Sequence, residues 1–581
     1  MFSIFKKLAW FFKAHKKRYI IALLAIAIVN MFEILPPRLI GMAIDDIHTG
    51  RLTSGLLWRY MALLLLTTVG SYAFGYIWRY QLFGGGFLLE KSIRFKIMAH
   101  LLRMKPKFYQ KFRTGDIMAR ATSDLESVET TAGYGILTLF DATAFMGVIL
   151  LMMFLTTNWQ LTLAAVIPLP IHAYLMTKLG AIYDKRYDAS QAAFSELNDH
   201  VLESISGTRV IRAYVRERAE IDRFAKQTED VYAKNKKVEA LDALWGPATR
   251  ILVGLSFLIT MTYGASLILE GQMTVGDLIT FNVYLGMLIW PLFAIGELIN
   301  VMQRGKTSLE RINELLDVPS DVTDAADAVT TVDSPQVIAF KQLNFTYPER
   351  AQPALKQISF TIKKGETIGI VGKTGSGKTT LIRQLLRQYP IEAKKVFVDG
   401  IPLEQVRQEE VLSWMGYVPQ AHMLFSKSVK ANILYGLTEA TDDDLKHVIK
   451  LAALTDDLAF FTDGLDTIVG EKGISLSGGQ KQRISIARAI AVNPEILILD
   501  DSLSAVDAKT ETKIIENIKR EREGKTTLIT AHRMSAVKHA HHIIVMDEGR
   551  IIQIGTHEAL MAAGGWYKEQ YEHQNLQLGG E

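Results

Sequence analysis

Before residue 300 the sequence returns about six times to a run of roughly twenty mainly apolar residues, the length that carries a helix across a bilayer core. The runs fall near 19–44, 55–78, 135–157, 161–183, 251–269 and 278–299. Stretches this long and this poor in charge do not suit the core of a soluble protein, so they read as six membrane helices. The first, "YIIALLAIAIVNMFEILPPRLIGMAI", follows a basic amphipathic start, "MFSIFKKLAWFFKAHKKRY". It is too long for the core of a signal peptide and shows no small-residue cleavage pattern.

Spacing groups the runs in pairs. Short connections join the first to the second, the third to the fourth and the fifth to the sixth. The segments 79–134 and 184–250 are long, charged and helix-patterned. Arg51 is the only Lys or Arg in the short connections. Segment 79–134 carries Arg79, Lys91, Arg94, Lys96, Arg103, Lys105, Lys107, Lys111, Arg113 and Arg120. The positive-inside rule therefore places the N-terminus and both long connections in the cytoplasm. Each long connection is expected to extend the membrane helices and to contain one short break, "RTGDIMARATSD" at 113–124 and "SGTRVIRAY" at 206–214. Such a break is either a plain hairpin or a turn that docks on a soluble domain.

The stretch "DVPSDVTDAADAVTTVDSP", 317–335, has turn-forming residues and little apolar periodicity, and reads as a linker. The expected organisation is an all-α membrane domain over 1–316, the linker, an α/β nucleotide-binding domain over 336–571 and a polar tail over 572–581. A net charge of +4 over 581 residues leaves no nucleic-acid footprint, and none is expected as a partner. The absence of cysteine excludes disulfides, thiolate catalysis and Cys-based zinc sites.

After the linker the punctuation changes. "TIGIVG" is a short β-rich run, and "GKTGSGKTT" follows it and opens the helix pattern "TLIRQLLRQY". The loop Gly372, Lys373, Thr374, Gly375, Ser376, Gly377, Lys378, Thr379, Thr380 fits G-x-x-x-x-G-K-[ST]. Its glycines let backbone N–H groups turn inward around phosphate at a helix N-terminus. Lys378 would neutralise the outer phosphates of ATP, and Thr379 would hold Mg²⁺. "EILILD" reads as a buried strand that delivers Asp500 at its C-terminal end, where ligands of parallel sheets bind, so Asp500 joins Thr379 on the magnesium. A third strand, "TTLITA", ends at His532, beside the γ-phosphate. "LSGGQKQR" opens another helix, with Ser477 as N-cap and Gly478 and Gly479 admitting close approach of an anion.

In the order phosphate loop, Gln420, "LSGGQ", Asp500, "SAVD", His532, these motifs resemble the ATPase domain of ABC transporters, from the linker to about residue 571. With six apolar runs ahead of it, nearly the whole chain resembles an ABC exporter half-transporter, of the kind found in bacterial heterodimeric multidrug exporters (the BmrC type). The resemblance implies roles that spacing does not supply. Tyr347 is similar to the aromatic residue that stacks on adenine. Gln420 matches the glutamine that touches Mg²⁺ and the attacking water. Ser477, Gly478, Gly479 and Gln480 match the loop that closes over ATP held by the opposite subunit. Asp507 falls in the loop that crosses between the two nucleotide sites, and "IVGEKG" (468–473) resembles the segment that meets the membrane domain. In that light the two breaks look like coupling helices.

One position departs from the pattern. The residue after the magnesium aspartate is normally a glutamate that orients the hydrolytic water, and this chain has Asp501. Its carboxylate is drawn back by one C–C bond, on the order of 1.5 Å, and a displacement near 1 Å costs about a hundredfold in rate. The site on this phosphate loop is therefore expected to bind ATP and hydrolyse it slowly. A heterodimer is favoured, in which a second half-transporter supplies glutamate and borrows this chain's Ser477 to Gln480.

Ionisable residues inside spans are candidates for function. Glu33, Asp141, Arg250 and Glu297 qualify, and Asp141 and Glu297 lie deeper. With Tyr284, Met287, Trp290 and Phe293 at helical spacing on the sixth run, they outline an expected cavity for small amphipathic substrates, drug-like cations above all. Helix packing or lipid contact is the competing reading of that stripe. The alternatives in function are a lipid flippase and a membrane ATPase with a sensing role; the expected location is the plasma membrane.

Overall fold

The computed structural model describes residues 3–156, 158–325, 327–329, 334–348, 350–437, 439–470 and 476–578. It divides into two compact units, Met1–Leu102 with Thr114–Val318, and Arg103–Arg113 with Pro319–Glu581.

The first unit is all helix. Among the described residues six helices are long and apolar enough to span a membrane: Lys16–His48, Ser54–Leu101, Thr114–Leu155, Trp159–Ser206, Glu217–Leu269 and Val275–Leu316. Five of the six predicted apolar runs lie wholly within a longer helix, the third (135–157) lies within one as far as Leu155, and both long connections continue the spans as expected. The third helix is interrupted by π turns at Arg120–Asp124 and Asp141–Phe145. The sixth is interrupted at Leu288, between Val275–Met287 and Ile289–Leu316.

The first and sixth helices cross closely at Gly41 and Gly276. A Cβ on either glycine would overlap the backbone of the other helix. Beside the crossing, Asp45 accepts from the Thr274 hydroxyl (2.7 Å) and the Gly276 N–H (2.8 Å), and Arg38 pairs with Asp277. Tyr284 is fully buried in this contact, its hydroxyl donating to the Ile34 carbonyl at 2.9 Å. That corrects one expectation: Tyr284 packs against the first helix, while Trp290 and Phe293, beyond the interruption at Leu288, are exposed.

The two expected breaks fare differently. The second stands where it was read, with Gly207 ending one helix, Thr208–Ala213 forming a short one, and the next starting at Glu217. The first lies earlier than 113–124. The second long helix ends at Leu101, Pro106–Lys111 forms the short element, and the third helix has begun by Thr114. Proline explains the shift. Lys105 is extended at φ −103° and ψ 168°, because the ring of the following Pro106 clashes with a helical predecessor.

The second unit holds two sheets. Strands β1 (Val337–Phe345), β2 (Leu355–Lys363), β4 (Val396–Val398) and β5 (Ile401–Pro402) make an antiparallel sheet in the order β2-β1-β4-β5. The larger sheet, β10-β9-β3-β8-β7-β6, is built from β3 (Thr367–Gly372), β6 (Met415–Val418), β7 (Ile496–Asp500), β8 (Thr526–Thr530), β9 (His542–Asp547) and β10 (Arg550–Gly555). Its strands β9, β3, β8, β7 and β6 run parallel. "ILILD" and "TTLIT" are buried at every position, as continuous apolar strands covered on both faces must be. Register pairs Asp500 with Thr530, which brings the C-terminal ends of β3, β7 and β8 together.

The segment 572–581, read as a polar tail, is helical as far as Leu578, within the C-terminal helix Trp566–Leu578. Residues 103–113 also pack with this unit, Lys105 Nζ donating to Gln408 Oε1 at 2.6 Å.

Candidate functional site

At the strand ends the chain forms a cavity of about 450 Å³. Its wall includes Tyr347, Thr374, Gly375, Ser376, Gly377, Lys378, Thr379, Thr380, Gln420, Asp501 and His532, so residues spread over the nucleotide domain come together at one cavity.

The phosphate loop needs its glycines. Gly372, Gly375 and Gly377 have φ of 151°, 82° and 106°, a region costly for other residues. A Cβ on Gly372 would also lie 2.1 Å from the Met546 carbonyl oxygen. Lys378 is buried and its ammonium donates to the carbonyls of Gly372 (2.7 Å) and Lys373 (3.1 Å). Burial holds its pKa below the usual lysine range, offset in part by Asp501 and Asp500. A phosphate would supply the counter-charge that this burial lacks. Among the described residues Ser376 Oγ is buried with no hydrogen-bond partner, a second polar atom of the loop that a phosphate oxygen would satisfy.

Asp500 is fully buried. Its Oδ1 accepts from the hydroxyls of Thr379 (3.0 Å) and Thr530 (2.8 Å), and its Oδ2 from Tyr417 (3.4 Å). A carboxylate and a hydroxyl side by side at the cavity floor form an oxygen-only donor set. That suits a magnesium ion, which takes one or two protein ligands and completes its shell with phosphate and water.

Asp501 sits in the left-handed region at φ 49°, where Asp is tolerated better than most residues. Its N–H donates to both the carbonyl (3.1 Å) and the hydroxyl (2.9 Å) of Thr530. Its Oδ2 accepts from Gln420 Nε2 at 3.2 Å and lies 4.0 Å from His532 Nε2. The three residues expected to handle water and the γ-phosphate therefore form one cluster.

Tyr347 stands at the other end of the cavity. Its hydroxyl shares a hydrogen bond with Thr380 (3.0 Å), and its ring meets Tyr389 edge-on with centroids 5.2 Å apart. Arg383 and Arg350 line the same cavity, and Arg383 donates to the Tyr347 hydroxyl at 3.4 Å. Neither arginine belongs to a motif of the sequence reading, and nor does Gln110, contributed by residues 103–113. A cation in the phosphate-loop helix, as in "TLIRQ", was the only hint available for Arg383.

Ser477, Gly478, Gly479 and Gln480 do not line this cavity. Ser477 caps the helix Gly478–Ala491 in a reciprocal box. Its hydroxyl accepts from the Gln480 N–H (3.2 Å), and Gln480 Oε1 accepts from the Ser477 N–H (3.0 Å). Gln480 Nε2 reaches Asp457 (3.2 Å), which also pairs with Arg483 at 2.7 Å. Asp507 caps the helix Ala508–Glu521 through the N–H groups of Lys509 and Thr510, which holds its carboxyl below the usual range. Part of "IVGEKG" lies outside the described residues.

In the membrane unit Asp141 is buried on its π turn and accepts from Trp290 Nε1 at 3.0 Å. Glu297 is half-exposed and lies 3.7 Å from Arg304.

Two family models match the chain: that of the ABC transporter transmembrane region over residues 19–292 and that of the ABC transporter over 355–504. The Bacillus subtilis (strain 168) protein described as probable multidrug resistance ABC transporter ATP-binding/permease protein YheI is 54% identical over 576 residues, 99% of this chain and 98% of its own length. The Escherichia coli (strain K12) multidrug resistance-like ATP-binding protein MdlA is 38% identical over 574 residues, covering 99% and 97%. Among solved structures, a bacterial Atm1-family ABC exporter with ATP bound superposes with a TM-score of 0.79 at 26% identity, covering 96% of this chain and 99% of that one. The chain belongs to the ABC exporters, as a half-transporter that fuses one six-helix membrane domain to one ATPase domain.

Proposed function

We propose that this half-transporter exports amphipathic, drug-like compounds across the cell membrane as one half of a heterodimer, and that the nucleotide site on its own phosphate loop turns over slowly. The observation that carries the proposal is the fixed backbone of Asp501. A shorter side chain could be harmless if the main chain moved forward to compensate. Here the residue's N–H is held twice by Thr530, and the preceding Asp500 is buried in register with the same threonine. The carboxylate is thereby kept on Gln420, one C–C bond short of the reach of a glutamate.

ATP would lie with its base against Tyr347 and its phosphates along Gly372 to Thr380. Lys378 would release its two carbonyls and turn to the outer phosphates. Magnesium, held by Thr379 and Asp500, would withdraw charge from the β- and γ-phosphates. Gln420 and His532 would hold the water and the γ-phosphate on either side of Asp501. Positioning is most of what a phosphoryl-transfer site contributes, so a retracted carboxylate weakens cleavage much more than binding. Ser477 to Gln480 stand apart from this cavity, in keeping with a loop that completes the partner's site.

The drug-like cargo rests on the names of the two relatives and on Asp141, Trp290 and Phe293, an acid and two aromatic side chains in the membrane unit. The deciding experiment traps radiolabelled ATP on this chain and on the partner within one assembled transporter. Cleavage at least tenfold slower on this chain is expected. Equal rates on the two chains would end the slow-site reading, and full dye efflux by this chain alone would end the heterodimer.

A further inference from the structure

The helix Trp566–Leu578 lies outside every motif of the ATPase domain, yet it reaches the loop that carries His532. Tyr567, Tyr571 and Gln574 recur at helical spacing and share one face. Tyr567 is fully buried and its hydroxyl meets His557 Nδ1 at 2.8 Å, so the start of the helix is anchored in the core. One to two turns later the Gln574 amide spans the peptide segment around Arg533. Its Oε1 accepts from the Met534 N–H at 2.9 Å, and its Nε2 donates to the His532 carbonyl at 2.9 Å.

From the other side, Glu511 takes Arg533 Nη1 at 2.9 Å and the Ser535 hydroxyl at 2.8 Å. Glu511 is itself buried in the helix that Asp507 caps. The loop is therefore held between two supports. Two hydrogen bonds from one rigid amide fix the dihedrals of His532 and Arg533, and those dihedrals set where the imidazole points.

We propose that Gln574 is a positioning residue for ATP cleavage: through the backbone of residues 532–534 it holds the His532 ring in line with Asp501 and the γ-phosphate. It does not touch the nucleotide. This rests on the reading of His532 as a phosphate contact.

The test uses the full-length chain in lipid nanodiscs, with single-turnover cleavage of ATP and half-saturating ATP measured separately. Gln574→Ala and Gln574→Met are each expected to slow cleavage about five- to tenfold, the scale of one or two lost hydrogen bonds, with half-saturating ATP within about twofold of the parent. The length-matched methionine keeps the packing and removes only the polar contacts. In a His532→Ala background, Gln574→Ala is expected to add nothing, because the two residues act as one unit.

A parent rate for Gln574→Met with a slow Gln574→Ala would reduce the residue to packing and overturn the proposal. So would losses that multiply in the double variant, or a parent rate for Gln574→Ala beside a slow His532→Ala. If His532→Ala itself cleaves at the parent rate, the reading of His532 fails as well, which separates the two failures.

Discussion

The ATPase domain presents two half-sites, and they are built to different standards. The phosphate-loop half has the parts that binding needs: three glycines at positive φ, a buried lysine, a buried Ser376 hydroxyl without a partner among the described residues and a buried Asp500. Its hydrolytic end has a carboxylate one bond short. The signature half has no such defect. Ser477 and Gln480 close a capping box, and Asp457 with Arg483 braces it from below. In the proposed heterodimer, where each nucleotide site would combine one half from each subunit and the partner would bring a glutamate, the short carboxylate would weaken only the site on this chain, and the signature half would serve the other. Two copies of this chain would instead carry Asp501 in both sites, so the asymmetry stands or falls with the proposed partner.

The largest effect that tests this division is on binding. Lys378→Met should weaken ATP at this chain's own site about a hundredfold or more, since it removes the buried cation of the phosphate loop, a loss of about 3 kcal/mol. Photolabelling with an azido-ATP would read it chain by chain. Labelling of the partner should persist, and its loss would mean that the two sites do not fill independently.

Next comes the hydrolytic end. Asp501→Glu should raise cleavage on this chain by roughly ten- to a hundredfold, measured as phosphate released from ATP trapped there, because the added bond restores the missing reach. An unchanged rate would move the limit from the carboxylate to geometry elsewhere in the cavity. The third effect falls on the other chain. Asp457→Asn keeps the shape but leaves Arg483 without its counter-ion and loosens Gln480. Turnover at the partner's phosphate loop should fall about tenfold, on the order of 1–2 kcal/mol for a partly buried pair. Cleavage on this chain's own loop should stay within about twofold, and a larger fall there would contradict the division.

How much of this was legible in the sequence depended on the range of the interactions. Apolar length and backbone chemistry are local, so the six spans, the phosphate loop, Asp500 and the capping serine could be read directly. The first break lies at "KPKF" and not at "RTGD", because Pro106 forces the turn, and a proline outweighs the glycine of a helix-compatible run. Helical spacing groups Tyr284 with Trp290 and Phe293, and only the packed first helix, whose Ile34 carbonyl takes the Tyr284 hydroxyl, separates it from them. Gln574 gives no signal in the sequence, and Arg383 no more than a cation in the phosphate-loop helix. Each works through a residue distant in sequence, and a polar side chain on a helix reads as solvent-facing until the fold supplies its partner.

The smallest effect concerns neither half-site, and it separates stability from catalysis. His539 stands beyond the far ends of the strands, in a hollow lined by Lys519, Arg522, His541, Glu516 and Glu523. Burial, together with the like charges of Lys519, His541 and Lys538, lowers its pKa to about 4. The folded value lies below the ordinary one, so the folded state favours neutral imidazole and the unfolded chain binds the extra proton. The stabilising contribution is therefore fully present above about pH 6.5 and is lost progressively as pH falls from there toward 4. Because the ring is partly exposed, solvent screening holds the effect to about 1 kcal/mol, a shift of roughly 2 °C in the unfolding midpoint of the soluble half. His539→Gln should flatten that acid limb of the melting curve while leaving cleavage on both chains unchanged at neutral pH. If it slowed either site instead, the hollow at the far end of the sheet would be coupled to the nucleotide, and the asymmetry could no longer be assigned to the one short carboxylate at residue 501.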